Sequence, residues 1–140
     1  MVVVKLKRLI INSDGAAVPN PGSAGIGAVL RDEKGNIVAE ICEYIGRATN
    51  NKAEFLALIA ALEKALELGA NHVDINSDSE LIVRQLEGKY RSKLMKELYE
   101  QTISLLDEFK SYTVKHIPRE QNKEADALSK RALKLKPRGR

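Results

Sequence analysis

Residues 52–69, KAEFLALIAALEKALELG, restrict the fold more than any other stretch of the chain. Apolar residues recur there at helical spacing, with Leu58, Leu62 and Leu66 on one stripe and Ala57, Ala61 and Ala65 beside it. Thr49 or Asn50 caps the start, and Gly69 suits the position just past the end. Before this helix lie three strand-like runs, Arg8–Asp14, Ile26–Arg31 and Ile37–Ile45. They are separated by a turn over Val18–Gly25, built on Pro19, Asn20, Pro21 and Gly22, and by a polar hairpin turn, Asp32–Asn36. Ile10 and Ile11 are adjacent apolar residues, which predicts a first strand covered on both faces. After the helix comes a short strand, His72–Asn76. A strand, a helix and another strand demand a parallel, right-handed crossover.

The remainder continues the alternation. Ser77-Asp-Ser-Glu80 reads as a capping box with Ser77 at the cap, opening a helix to about Glu87. A further amphipathic helix spans about Ser92 to Lys110, Tyr112–Ile117 is the last strand, Arg119–Asn122 is a loop, and a final helix carries Ala125, Leu128 and Ala132. The predicted order is β-β-β-α-β-α-α-β-α. It implies an α/β fold, a five-stranded mixed sheet with three antiparallel strands and then two parallel ones, flanked by helices.

At 140 residues there is room for one domain, and the initial Met reads as the start of a complete chain. No apolar run approaches the roughly 18–20 residues of a membrane span, and MVVVKLKRLII lacks the cleavage site of a secretory leader. The single cysteine, Cys42, excludes an internal disulfide and a cysteine-based zinc site, and fits a cytoplasmic protein. Nothing demands more than a monomer. The net charge of +4 is unevenly placed. Residues 130–140, KRALKLKPRGR, hold six Lys or Arg and no acid, leaving the body, residues 1–129, at −2. We therefore divide the chain into a catalytic domain over 1–129 and a basic end over 130–140 suited to polyanions.

Four acids fall at element ends. Asp14 ends the first strand, Glu54 lies in the first turn of the long helix, Asp78 joins the fourth strand to its helix, and Asp126 lies near the start of the last helix. Each alone has a structural reading as a turn former, a cap or a partner of a helix dipole. Ligands of α/β sheets gather at the carboxyl ends of strands, and four acids converging there need a cation to offset their repulsion. Carboxylates without a His or Cys cluster favour a hard ion, Mg²⁺ or Mn²⁺, and point to metal-dependent phosphoryl transfer.

Four stretches in the same order, SDGAAVPNPGSAGIGAVL, RATNNKAEFLALIAAL, INSDSELIVRQL and HIPREQNKEADALSK, resemble ribonuclease H, type 1. The resemblance covers most of the chain and implies the same five-stranded fold. It implies an endonuclease that hydrolyses the RNA strand of an RNA/DNA hybrid, giving 5′-phosphate and 3′-hydroxyl ends. The family's catalytic acids fall on Asp14, Glu54, Asp78 and Asp126, which would bind two Mg²⁺ ions, with Mn²⁺ as substitute. Asn50 and Asn51 match the pair that reads the minor groove, where the RNA 2′-hydroxyls lie. Backbone near Gly15 and Asn20 would approach the RNA strand, and Arg47 and Thr49 match a pocket for a DNA phosphate. For Asn50 the alternative is a helix cap, and for Arg47 a solvated surface side chain.

Two departures from the better-known bacterial members stand out. The basic, aromatic protrusion is replaced by GKYRSKLMKELYEQTISLLDEF, in which Tyr90, Arg91 and Lys93 are the remaining candidates for a hybrid-binding handle. The HIPREQNKEAD ending looks more like the archaeal and plant-like branch. His116 stands ten residues before Asp126, the spacing of a family histidine proposed to aid product release, with Arg119 and Glu120 as rivals. Two other readings remain: an integrase or resolvase of the same fold, which the TNNKAE stretch disfavours, and a binding module without chemistry, which four intact acids disfavour.

Overall fold

The computed structural model describes residues 8–88 and 95–137. Five strands, β1 (Arg8–Val18), β2 (Gly22–Arg31), β3 (Ile37–Ala48), β4 (His72–Ser77) and β5 (Ser111–His116), form one sheet in the order β3-β2-β1-β4-β5. β2 is antiparallel to β1 and β3, whereas β4 runs parallel to both β1 and β5. Four helices accompany it among the described residues: α1 (Asn50–Glu67), α2 (Glu80–Leu86), α3 (Lys96–Leu106) and α4 (Lys123–Ala132). The mixed sheet flanked by helices is the architecture expected from the alternation of periodicities.

The two faces of the sheet are covered differently. Leu9, Ile11, Ile26, Ala28, Leu30, Val73 and Ile75 are buried together with Phe55, Leu58 and Leu62 of α1. On the other face α4 lies against β2. An added Cβ at Gly27 would stand 2.4 Å from the Ala125 carbonyl oxygen, and one at Gly25 2.4 Å from that of Ser129. Beyond the reach of α4 the same face of β1 opens to solvent, so Ile10 is half-buried and Arg8 exposed. The two-sided coverage inferred from Ile10-Ile11 therefore holds only in the middle of the strand, over Ser13–Gly15. At the open end, Arg8 donates twice to Asp74 (2.7 and 3.1 Å), which also accepts from Thr113 (2.6 Å), tying β1, β4 and β5.

The turns follow local chemistry, with some shifts. Asp32 Oδ1 accepts from the Lys34 and Asn36 N–H groups at 2.9 Å, closing the β2–β3 hairpin, and Gly35 takes φ +89°. Thr49 caps α1 by accepting from the Lys52 N–H (3.1 Å), and the Ala70 N–H closes its other end on the Ala65 carbonyl. The β1–β2 turn is tighter than the Gly- and Pro-rich stretch predicts. β1 continues through Gly15 to Val18, β2 resumes at Gly22, and only Pro19-Asn20-Pro21 stand between them. The cap of α2 is Ser79, which accepts from the Ile82 N–H, while Ser77 ends β4 and accepts from the Ser79 N–H. Either serine can cap a helix, but only Ser77 has a Glu three residues on; with Ser79 as the cap that position is Ile82, so the expected capping box does not form, and the length of β4 decides between the two serines. α3 ends at Leu106, short of Lys110, and the expected start of that helix at Ser92 lies outside the described residues, as do Tyr90, Arg91 and Lys93.

Candidate active site

β1 and β4 run parallel, and their shared ladder ends at Asn12–Asn76; Asp14, which lies within β1 rather than ending it, and Asp78, just past β4, both stand beyond that last pair at the same edge of the sheet. α1 crosses β1 so closely that a Cβ at Gly15 would lie 2.3 Å from the backbone of Ala53. The bare glycine thus lets α1 approach, and that approach delivers Glu54 to Asp14. Carboxylate oxygens of Asp14, Glu54 and Asp78 all lie within 4.8 Å of one another. Asp126 arrives from α4 as a hydrogen-bond partner of Asp14. The cleft they line also includes Gly15, Ala16, Asn50, Arg119 and Lys130. α1 begins at Asn50, so Glu54 lies beyond the first turn that its sequence position implied, and the helix dipole does less for it there.

The electrostatics are those of a crowded acid cluster. Asp14 is only 8% exposed, and its pKa is pushed up to about 8, first by burial and then by the Asp78 charge, the Asp126 hydrogen bond and the Glu54 charge. Burial raises Glu54 to about 7, assisted by Asp78 and opposed by a hydrogen bond to Ser79 and by the Arg119 charge. These shifts mark negative charge that the side chains alone do not neutralise. A hard dication with oxygen ligands fits such a donor set, and Asp14, Glu54 and Asp78 are the residues placed to share one.

The other candidates are distributed around this cleft. Asn50 is the first residue of α1 rather than its cap. Its Oδ1 accepts from the Ala17 N–H (2.7 Å), and its own N–H donates to Asn20 Oδ1 (3.0 Å). The Pro19-Asn20-Pro21 turn and the start of α1 are thereby bound to each other. Asn51, Thr49 and Arg47 are exposed on the same approach, with Arg47 opposite Ser23 in the β2–β3 ladder. His116 closes β5, with Nε2 3.3 Å from the Asp78 carbonyl oxygen. Arg119 lines the cleft from a single 3₁₀ turn, Arg119–Gln121, with Glu120 exposed beside it.

Two participants escaped the sequence reading. Lys130 lines the cleft and pairs with Asp126 (Nζ–Oδ2 3.0 Å); its i,i+4 spacing on the last helix was the available signal. Ser79 hydrogen-bonds Glu54, a contact between distant elements for which the sequence holds no local sign.

A family model described as reverse transcriptase-like matches residues 12–132. Ribonuclease HI of Halobacterium salinarum is 43% identical over 122 residues, covering 86% of this chain and 61% of that protein. The chain belongs to the ribonuclease H type 1 family. The crystal structure of ribonuclease H1 from the same archaeon superposes with a TM-score of 0.89 at 41% identity, covering 91% of this chain and 98% of the other. LC11 ribonuclease H1, isolated from compost and solved in complex with an RNA/DNA hybrid, gives 0.85 at 42% identity, covering 91% and 97%. This chain thus spans about three fifths of the length of the halobacterial protein but nearly all of each solved ribonuclease H1 domain.

Proposed function

We propose that this protein is an endonuclease that hydrolyses the RNA strand of RNA/DNA hybrids, with Asp14, Glu54, Asp78 and Asp126 as its catalytic acids. The observation that carries the reading is the meeting of three carboxylates within 4.8 Å, from β1, α1 and the β4–α2 junction, in a ribonuclease H fold. Two Mg²⁺ ions, replaceable by Mn²⁺, would when bound activate the attacking water and offset charge on the departing oxygen. The protein's own part is to hold the acids in place and to orient the scissile phosphate. Water adds to phosphorus and the bond to the 3′ oxygen breaks, which gives 5′-phosphate and 3′-hydroxyl ends. Arg119 and Lys130 supply positive charge at the cleft, and His116 or Arg119 assists product release.

Recognition rests on the approach formed by Gly15, Asn20, Arg47, Thr49, Asn50 and Asn51. The Asn50 carbonyl is committed to Ala17, which leaves its Nδ2 as a donor for the minor groove. Asn51 is exposed and free of the capping duty, which Thr49 performs. Arg47 and Thr49 receive a phosphate of the DNA strand. Residues 1–129 hold the four acids, and 130–140 add a basic end that begins within α4 with the cleft residue Lys130. No helix among the described residues is long and apolar enough to cross a membrane; we place the protein in the cytoplasm as a monomer.

The test is cleavage of an end-labelled RNA strand presented in a hybrid, in duplex RNA and alone, beside duplex DNA. Selective cutting of hybrid RNA to 3′-hydroxyl products is expected, with Asn51→Ala raising KM for the hybrid several-fold. Equal cutting of all four substrates would discard the recognition roles, and no cutting with Mg²⁺ or Mn²⁺ would discard the enzyme.

A further inference from the structure

The register of β1 and β4 sets Asn12 beside Asn76 at the last pair of their ladder. Asn76 Nδ2 donates to Asn12 Oδ1 (3.5 Å), Asn12 Nδ2 donates to Asn122 Oδ1 (3.1 Å), and Asn122 Nδ2 donates to the Ser13 carbonyl oxygen (2.9 Å). The direction of this chain is dictated at one end. A backbone carbonyl only accepts, so Asn122 must present Nδ2 to Ser13 and Oδ1 to Asn12, and Asn12 must present its own oxygen to Asn76. Asn122 is 1% exposed, so each of its amide bonds matters.

The two ends of the Asn122 contact are informative. Ser13 immediately precedes Asp14. Asn122 stands one helical turn before Asp126, and the Asp126 N–H donates to its carbonyl (3.0 Å). One buried amide therefore binds the peptide before the first acid to the turn that carries the fourth. The dense packing of α4 on Gly25 and Gly27, and the Arg31–Glu124 ion pair (2.6 Å), hold the helix down on β2. That packing reaches Asp14 only through β2, where Gly27 is its ladder partner, whereas Asn122 bonds β1 itself.

Resting on the ribonuclease H reading, we infer that Asn122, backed by Asn12 and Asn76, is a positioning residue that sets the separation of Asp126 from Asp14. It acts through those acids and touches no substrate. Removing its side chain frees the start of α4 to shift, and misplacement near 1 Å lowers turnover by about 100-fold without weakening substrate binding. Partners that orient ligand residues also set cation affinity, by about 10-fold or more. Asn12 acts only through Asn122, so its loss adds nothing once Asn122 is gone.

The experiment compares wild type, Asn122→Ala, Asn12→Ala and the double variant. It measures kcat and KM on a hybrid, Mn²⁺ binding by calorimetry, and folding by circular dichroism. Expected for Asn122→Ala are a 10- to 100-fold lower kcat, an unchanged KM and about 10-fold weaker Mn²⁺ binding. Asn12→Ala should show a smaller loss of the same kind, and the double variant should match Asn122→Ala. An unchanged kcat, a change confined to KM, or multiplied losses in the double variant would overturn the inference. If Asn122→Ala does not fold, Asn12→Ala decides by the same kcat-against-KM split. If wild type cuts no hybrid, the ribonuclease reading fails, and Mn²⁺ affinity alone then judges the positioning role.

Discussion

Replacing Gly27 by Ala tests how the packing of α4 couples to the site. The new Cβ would meet the Ala125 carbonyl oxygen at 2.4 Å, the Ser129 nitrogen at 2.5 Å and Leu128 Cβ at 2.7 Å. Two of these are backbone atoms of α4, so no rotamer change relieves the clash. Ordinary contact begins near 3.4 Å, which requires α4 to lift by about 1 Å. Overpacking of this kind costs about 2–3 kcal/mol. With an unfolding entropy of about 2 cal/mol/K per residue, a chain of 140 residues loses about 7–10 °C in Tm. The lift also carries Asp126 away from Asp14, and 1 Å there is expected to lower kcat by about 100-fold. Gly35→Ala is the control. Gly35 has φ +89° with nothing within 4 Å, so strain of about 1 kcal/mol lowers Tm by about 3 °C and leaves kcat alone. Differential scanning calorimetry and hybrid-cleavage kinetics on both variants read the two effects. A Gly27→Ala protein with wild-type Tm would refute the described packing. A lowered Tm with unchanged kcat would refute the coupling to Asp126.

Further outcomes follow from the charges. Asp14 and Glu54 titrate near 8 and 7 in the folded chain, against roughly 4 when unfolded, so the folded state holds more protons between those limits. Stability in EDTA should therefore fall as pH rises from about 4 to 8 and level off above. Asp14→Asn should remove most of that fall, and millimolar Mg²⁺ should raise the wild-type Tm more at pH 8 than at pH 5; a wild-type Tm in EDTA that stays flat across the window contradicts this. Truncation after Leu133 removes Lys134, Lys136, Arg138 and Arg140, of which Lys136 rests on Ser23 (3.2 Å) beside β2. Hybrid binding should weaken and its salt dependence flatten by up to about one unit of slope per lost phosphate contact, and an unchanged Kd across salt would dismiss the tail as a binding element.

The parts of this molecule legible in the sequence are those governed by local periodicity. The α1 stripe, the Asp32–Asn36 hairpin and the β-α-β crossover all follow from residue spacing, and together they bring Asp14, Glu54 and Asp78 to one edge. Gly15 misleads because glycine after an acid looks like a turn, whereas here its missing Cβ serves a helix from elsewhere in the chain. Ser77 and Ser79 compete for one cap, and only the extent of β4 ranks them. Asn12, Asn76 and Asn122 are ordinary polar residues in sequence, and their connection exists only because β1, β4 and α4 meet. Long-range contacts of this kind leave no periodic trace, whereas the Asp126–Lys130 pair does and was open to view.

In the proposed function the carboxylate cluster performs cation-dependent cleavage of RNA paired to DNA. The most direct measurement incubates an end-labelled hybrid with wild type and Asp78→Asn, in Mg²⁺ and in EDTA, after circular dichroism has established that the variant folds. RNA cleavage by wild type is expected in Mg²⁺ only, with a loss of at least about 1,000-fold in Asp78→Asn. Cleavage that survives EDTA, or a folded Asp78→Asn protein that cuts at the wild-type rate, would contradict the proposed function.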